Sequence, residues 1–204
     1  MHHTLRLVKI WNSLAAISVA TLLMAGCNSN FVPKPRGYFA IPLPQKAYQV
    51  FNQPGYPYQF EYPAYAQIVK DTTYFDATPE NPWWINIDFP QFGGRIYISY
   101  KQLATNNLSK LITDAYNLTY KHTYKASSIE DSVFRNPAQI PGVFFRVGGN
   151  AATANQFYLT DSSKHFLRGA LYFDASPNED SLQPVNDFLL QDLKHLITSF
   201  KWNK

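Results

Sequence analysis

The sequence predicts an α+β domain in which an antiparallel sheet carries helices on its faces. Three observations lead there. Segments between residues 60 and 173 alternate apolar and polar positions with period 2, short turn sequences join neighbouring segments, and two stretches have helical spacing. Bulky residues on both faces of the strands at 143–147 and 165–173 imply a sheet covered on both sides.

The chain of 204 residues opens with Arg6 and Lys9 ahead of a mostly apolar run, Ile10 to Ala25. That run is shorter than the roughly 20 residues a permanent membrane helix needs, so residues 1–26 are expected to be a removable export signal. It ends in Leu23-Met24-Ala25-Gly26-Cys27, which resembles a bacterial lipobox. Cys27 is the sole cysteine, and the expectation is that it is lipidated and becomes the new N-terminus. The mature body then has no thiol and must hold itself together by packing, without disulfides. Acyl chains on Cys27 would tether it to the membrane, each buried CH₂ adding roughly 0.8 kcal/mol.

Prolines at 33, 35, 42, 44, 54 and 57 deny backbone donors, so residues 27–57 read as a tether that becomes a strap along the domain. Residues 58–204 read as the single α+β domain. A broken strand is expected over Phe60 to Ile68. Trp83, Ile85, Ile87 and Phe89 then share one strand face against Trp84, Asn86 and Asp88. Ile96, Ile98 and Tyr100 do the same on the next strand, and Pro90-Gln91-Phe92-Gly93-Gly94 turns the two into a hairpin. Leu108, Leu111, Ile112, Ala115, Leu118 and Thr119 mark a helix that stops near His122, with Asn106 and Asn107 as capping candidates.

Strands follow at Val143 to Val147, Gln156 to Thr160 and His165 to Phe173, the last two joined by Asp161-Ser162-Ser163-Lys164. Gly148-Gly149-Asn150 reads as a bend after a strand. The second helix is expected to open at Asp180-Ser181-Leu182-Gln183, to tolerate Pro184 near its start, and to run through Val185, Phe188, Leu189, Leu193, Leu196, Ile197 and Phe200 to Trp202. This order resembles the PsbP/Mog1-like α/β/α sandwich, a likeness of fold that carries no activity.

Composition excludes several functions. Net charge is +4, falling to +2 once Arg6 and Lys9 leave, and the basic residues are scattered singly. Nucleic acid is therefore not an expected partner. Signatures for acyl transfer, nucleotide binding and zinc hydrolysis are missing, so no enzyme activity, cofactor, metal or small-molecule substrate is expected. Asp161, Ser163 and His165 are the residue types of a hydrolase triad, but Ser and Asp in a four-residue turn are ordinary turn chemistry.

Aromatic usage exceeds ordinary need, with nine Tyr and Phe between Tyr38 and Tyr65. Tyr56, Tyr58, Trp83 and Trp84, with Arg146 and Arg168, are the candidate interaction surface, for a protein partner or for stacking on sugar. Core filling by the same aromatics is the competing account.

Multi-residue blocks running in one order along the chain identify a family resemblance. They are Pro33–Tyr38 (PKPRGY), Asn81–Pro90 (NPWWINIDFP), Arg95–Lys101 (RIYISYK), Leu118–His122 (LTYKH), Gly148–Ala152 (GGNAA), Gln156–Ser162 (QFYLTDS) and Lys164–Phe173 (KHFLRGALYF). Together they resemble the gliding-motility lipoprotein family GldD. The resemblance implies a periplasm-facing lipoprotein of the cell envelope, required for gliding and for type IX protein secretion as an accessory or assembly factor. Its partners would be the membrane and other envelope proteins of that machinery. A peptidoglycan- or glycan-binding module is the alternative.

Overall fold

A computed structural model describes residues 40–71, 79–103 and 107–203. The export signal and Cys27 lie outside the described residues. The compact unit is Ile41–Lys204. In chain order its elements are β1 (Tyr48–Phe51), β2 (Tyr58–Pro63), β3 (Gln67–Lys70), β4 (Ile85–Phe89), β5 (Gly94–Gln102), α1 (Leu108–Tyr120), β6 (Ala126–Arg135), β7 (Pro141–Gly149), β8 (Asn155–Thr160), β9 (His165–Phe173), α2 (Glu179–Ser199) and β10 (Lys201–Trp202).

Seven strands form one sheet in the order β3-β4-β5-β9-β8-β7-β6, every neighbour antiparallel. Alternation dictates its two faces. Ile85, Ile87, Ile96, Ile98, Phe157, Leu167 and Leu171 point to one side and meet Val185, Leu189, Leu193 and Leu196 of α2. On the opposite side Val143, Phe145, Tyr158 and Phe166 meet Leu111 and Ala115 of α1. The predicted α+β class and the covering of both faces are what the structure has. Each fully buried aliphatic or aromatic side chain contributes about 1.5–3 kcal/mol, so these two clusters dominate stability.

The broken strand expected at 60–68 is two strands in different sheets. Ala66 N donates to Pro63 O in the turn between them, and β2 leaves to form a small sheet, β1-β2-β10. β1 comes from the segment read as strap, and its Phe51 is buried with Tyr58 and Phe60. Trp202 does not finish the helix. α2 ends at Ser199, Phe200 turns to extended backbone, and Trp202 pairs with Tyr58 in β10. The turn is fixed by Asn136, 4% exposed, whose Nδ2 donates to the Ile197 and Phe200 carbonyls at 3.1 and 2.9 Å. That side chain satisfies carbonyls which the helix end leaves open.

The hairpin β4–β5 forms as expected, with Gly93 at φ +55. The caps differ. Asn107 stands at the start of α1 without a side-chain cap bond, and α2 is capped by Asn178, whose Oδ1 accepts from Ser181 N at 3.1 Å. Pro184 lies in the second turn, past the amides that have no helical partner, so it removes one internal bond that the sequence reading had spared. β6 was not expected at all.

Candidate functional site

The six candidate surface residues do not share a surface. Tyr58 is fully buried among Phe51, Phe60, Tyr100 and Phe200, and its hydroxyl donates to Trp83 O at 2.5 Å. Trp84 is 6% exposed and donates its indole N–H to Tyr100 O at 2.7 Å. Both tryptophans precede β4, Trp83 in the turn and Trp84 just before the first strand residue, so the strand face expected to begin at Trp83 begins at Ile85. Trp83 is half-buried, edge-on to Tyr100, with its N–H on Gly55 O. Tyr56 is half-buried against Phe51 and Tyr58. The stacking platform expected from the sequence is therefore largely an aromatic core, because Tyr58 and Trp84 offer no face to a sugar.

Arg146 and Arg168 also separate. Arg146 pairs across the sheet with Asn155, on the α2 side, whereas Arg168 pairs with Ser99 and Tyr158, on the α1 side. Arg168 and Trp84 line one groove of about 450 Å³ beside α1, together with Lys101, Lys121, Leu118 and Phe166. Lys101 is already bound to Glu80.

The Asp161 turn is a structural knot. Asp161 Oδ1 accepts the amides of Ser163, Lys164 and His165 at 3.0, 2.8 and 2.8 Å. Burial pushes this carboxyl up, but the three amides outweigh it and hold it below the ordinary value. His165 faces Tyr100, with Nδ1 2.6 Å from the phenol oxygen, and stacks on Trp202. Ser163 is exposed and bound through its amide; no hydroxyl–imidazole bond joins it to His165 among the described residues. The three residues of the hydrolase reading do not assemble as nucleophile, base and orienting acid.

Burial also lowers the pKa of His165, against the Asp161 charge, and lowers that of His122. A histidine whose folded pKa lies below its ordinary 6.5 charges first in the unfolded chain. Stability from both rings is present above 6.5 and is lost as pH falls through the folded values. Urea unfolding followed from about pH 7 to about pH 5 should show falling stability, and His165→Gln should flatten part of the slope. A profile identical in wild type and variant removes the assignment for His165.

The most elaborate polar cluster was not visible in the sequence. Asp192 on α2 is 1% exposed. Its Oδ2 accepts from Lys46 Nζ at 2.7 Å and from the Tyr65 hydroxyl, and its Oδ1 accepts from the Tyr48 hydroxyl at 3.0 Å. Lys46 also donates to Phe188 O at 2.8 Å and sits 3.3 Å from the centre of the Phe188 ring. Desolvation lowers the Lys46 pKa despite the adjacent carboxylate. Burial, then the bond to Asp192, pushes Tyr48 up to about 12 and Tyr65 higher. Beside it His195 stacks on Tyr48 and bonds Glu61 at 2.6 Å. One signal existed: Asp192 occupies a place on the apolar stripe of α2, four residues after Phe188 and three after Leu189.

Among the described residues no group of three His, Cys, Asp or Glu is arranged to hold a metal, and no helix is long and apolar enough to cross a membrane. Comparison with curated proteins gives no match. Among solved structures, the chain is similar to the solution structure of cyanobacterial PsbP (CyanoP) from Synechocystis sp. PCC 6803, at 13% identity and a TM-score of 0.45, over 79% of this chain and 95% of that one. A family model described as gliding motility lipoprotein GldD matches residues 28–202, beginning at the residue after Cys27. That span takes in both sheets, both helices and the Lys46–Asp192 cluster, and the chain belongs to the gliding motility lipoprotein GldD family.

Proposed function

We propose that this protein is held in the cell envelope by a lipid on Cys27, faces the periplasm, and serves as a non-enzymatic accessory factor in gliding and type IX secretion. The observation that carries the reading is the family match that starts directly after the lipobox cysteine. A tether supplied by acyl chains confines the body to the membrane surface, which raises its effective concentration toward other envelope proteins without new contacts. Residues 1–26 are then the signal, and the stretch after Cys27 is the tether.

The test is complementation of a gene deletion. Cells carrying Cys27→Ser should spread no further than the deletion strain and should retain cargo inside the cell, while wild-type complementation restores both. Full gliding and secretion with the unlipidated protein would sink the tethered mechanism. Purification of the native protein with a free thiol on residue 27 would sink the anchor itself.

A further inference from the structure

The face of the sheet under α2 carries a row that the hydrophobic core does not use. Cross-strand register places Glu130 of β6, Arg146 of β7 and Asn155 of β8 side by side, continuing to Leu171 of β9. Directly paired residues of an antiparallel sheet put their side chains on the same face. Over β9 that row is sealed by α2, whereas over β6 to β8 a groove of about 300 Å³ stays open, roofed by the first half of α2. Its volume falls at the low end for small-ligand pockets, about 300–1,000 Å³.

Its polar groups are unspent. Asn155, 4% exposed, brings a buried side-chain amide to the floor of the groove. From the roof, Asn186 presents a buried Oδ1 without a hydrogen-bond partner among the described residues. Arg146, Glu130, Glu179 and Asp187 line the same groove, and none of the four takes an ion-pair partner among the described residues. Leaving a buried amide oxygen unsatisfied is unfavourable, and a bound molecule supplying the missing bond would recover that cost.

We infer that the groove between α2 and the Glu130–Arg146–Asn155 row binds a small zwitterionic ligand, an amino acid or short peptide with free ammonium and carboxylate groups. Arg146 offers a forked donor for the carboxylate. Glu130, Glu179 and Asp187 offer acceptors for the ammonium, and Asn155 and Asn186 take the peptide group between them. Three carboxylates against one guanidinium disfavour a phosphate anion. No aromatic side chain lines the groove, which disfavours a stacked sugar or base. This site is separate from the lipid anchor, so its failure leaves the proposed envelope role untouched.

The experiment titrates full-length lipoprotein in detergent micelles with alanylalanine, alanylglutamate and alanyllysine, each free, N-acetylated or C-amidated, by calorimetry. At least one free dipeptide should bind saturably and lose about tenfold or more in affinity with either end capped. Arg146→Gln, an exposed position, should erase the discrimination against the amide, and Asp187→Asn the discrimination against the acetyl group. Absence of saturable binding, equal affinity for free and capped forms, or indifference to Arg146→Gln with an unchanged melting temperature each overturns the site.

Discussion

Replacing Lys46 with methionine should lower the unfolding free energy by about 3 kcal/mol at neutral pH, because it strands a carboxylate that cannot reach water. Asp192 is 1% exposed, and Lys46 is the cation it meets there. The two phenols that remain, Tyr48 and Tyr65, are neutral donors, and they soften the loss without compensating the charge. Burial of Lys46 is incomplete, with 23% of its side chain exposed, which keeps the expected cost at the lower end for broken buried pairs.

Asp192→Asn added to Lys46→Met should recover part of the loss, since an amide in the same place carries no charge to strand. Urea unfolding of the four combinations measures the coupling. A loss under about 1 kcal/mol for Lys46→Met would show that water solvates the carboxylate and that the cluster is ornamental. The neighbouring His195–Glu61 pair is the internal control: its side chains are 33% and 43% exposed, so breaking it should cost under about 1 kcal/mol.

The contrast explains what could be read from the sequence. β4, β5, β8 and β9 were legible because each has a face of the core to satisfy, and Ile85, Ile87 and Phe89 record that demand as alternation. β6 was illegible for the opposite reason. It is the outer strand of the large sheet and is exposed on both faces, so Ser127, Ser128, Glu130, Asp131 and Ser132 carry no period at all. Its partner is chosen by nine register pairs with β7, a non-local fact. β1 was hidden by the prolines around it. Trp202 continued the helical spacing of α2, but Asn136, more than 60 residues earlier in the chain, captures the carbonyls that end the helix. Local pattern reports burial, and long-range hydrogen bonds leave no trace in it.

The candidate surface failed on the same ground. Aromatic density in the stretch Tyr38 to Tyr65 signalled a demand for ring area, and the demand came from the interior. Arg146 retains its place beside an open groove because its row runs out from under α2. Cys27 was read from a local motif alone, and the family match begins one residue after it.

Gly169→Ala should be severely damaging, with a loss of about 3 kcal/mol or failure to accumulate as folded protein. Gly169 lies in the middle of β9 and pairs directly with Phe157 of β8. The Phe157 ring lies across the bare glycine backbone: a methyl there would stand 2.5 Å from Cζ and 3.0 Å from Cδ1, closer than side-chain carbons approach. The ring cannot swing away, since Phe157 is fully buried within the cluster under α2. A strand glycine ordinarily weakens a sheet, so its presence here needs this close approach as its reason. Phe157→Leu alone should cost about 1 kcal/mol, and combined with Gly169→Ala it should recover much of the loss by vacating the space. Urea midpoints of the two single variants and the pair decide the matter. A Gly169→Ala protein as stable as wild type would mean that β8 and β9 separate more freely than this packing allows, and strictly additive losses in the pair would place the damage in the backbone of β9 instead.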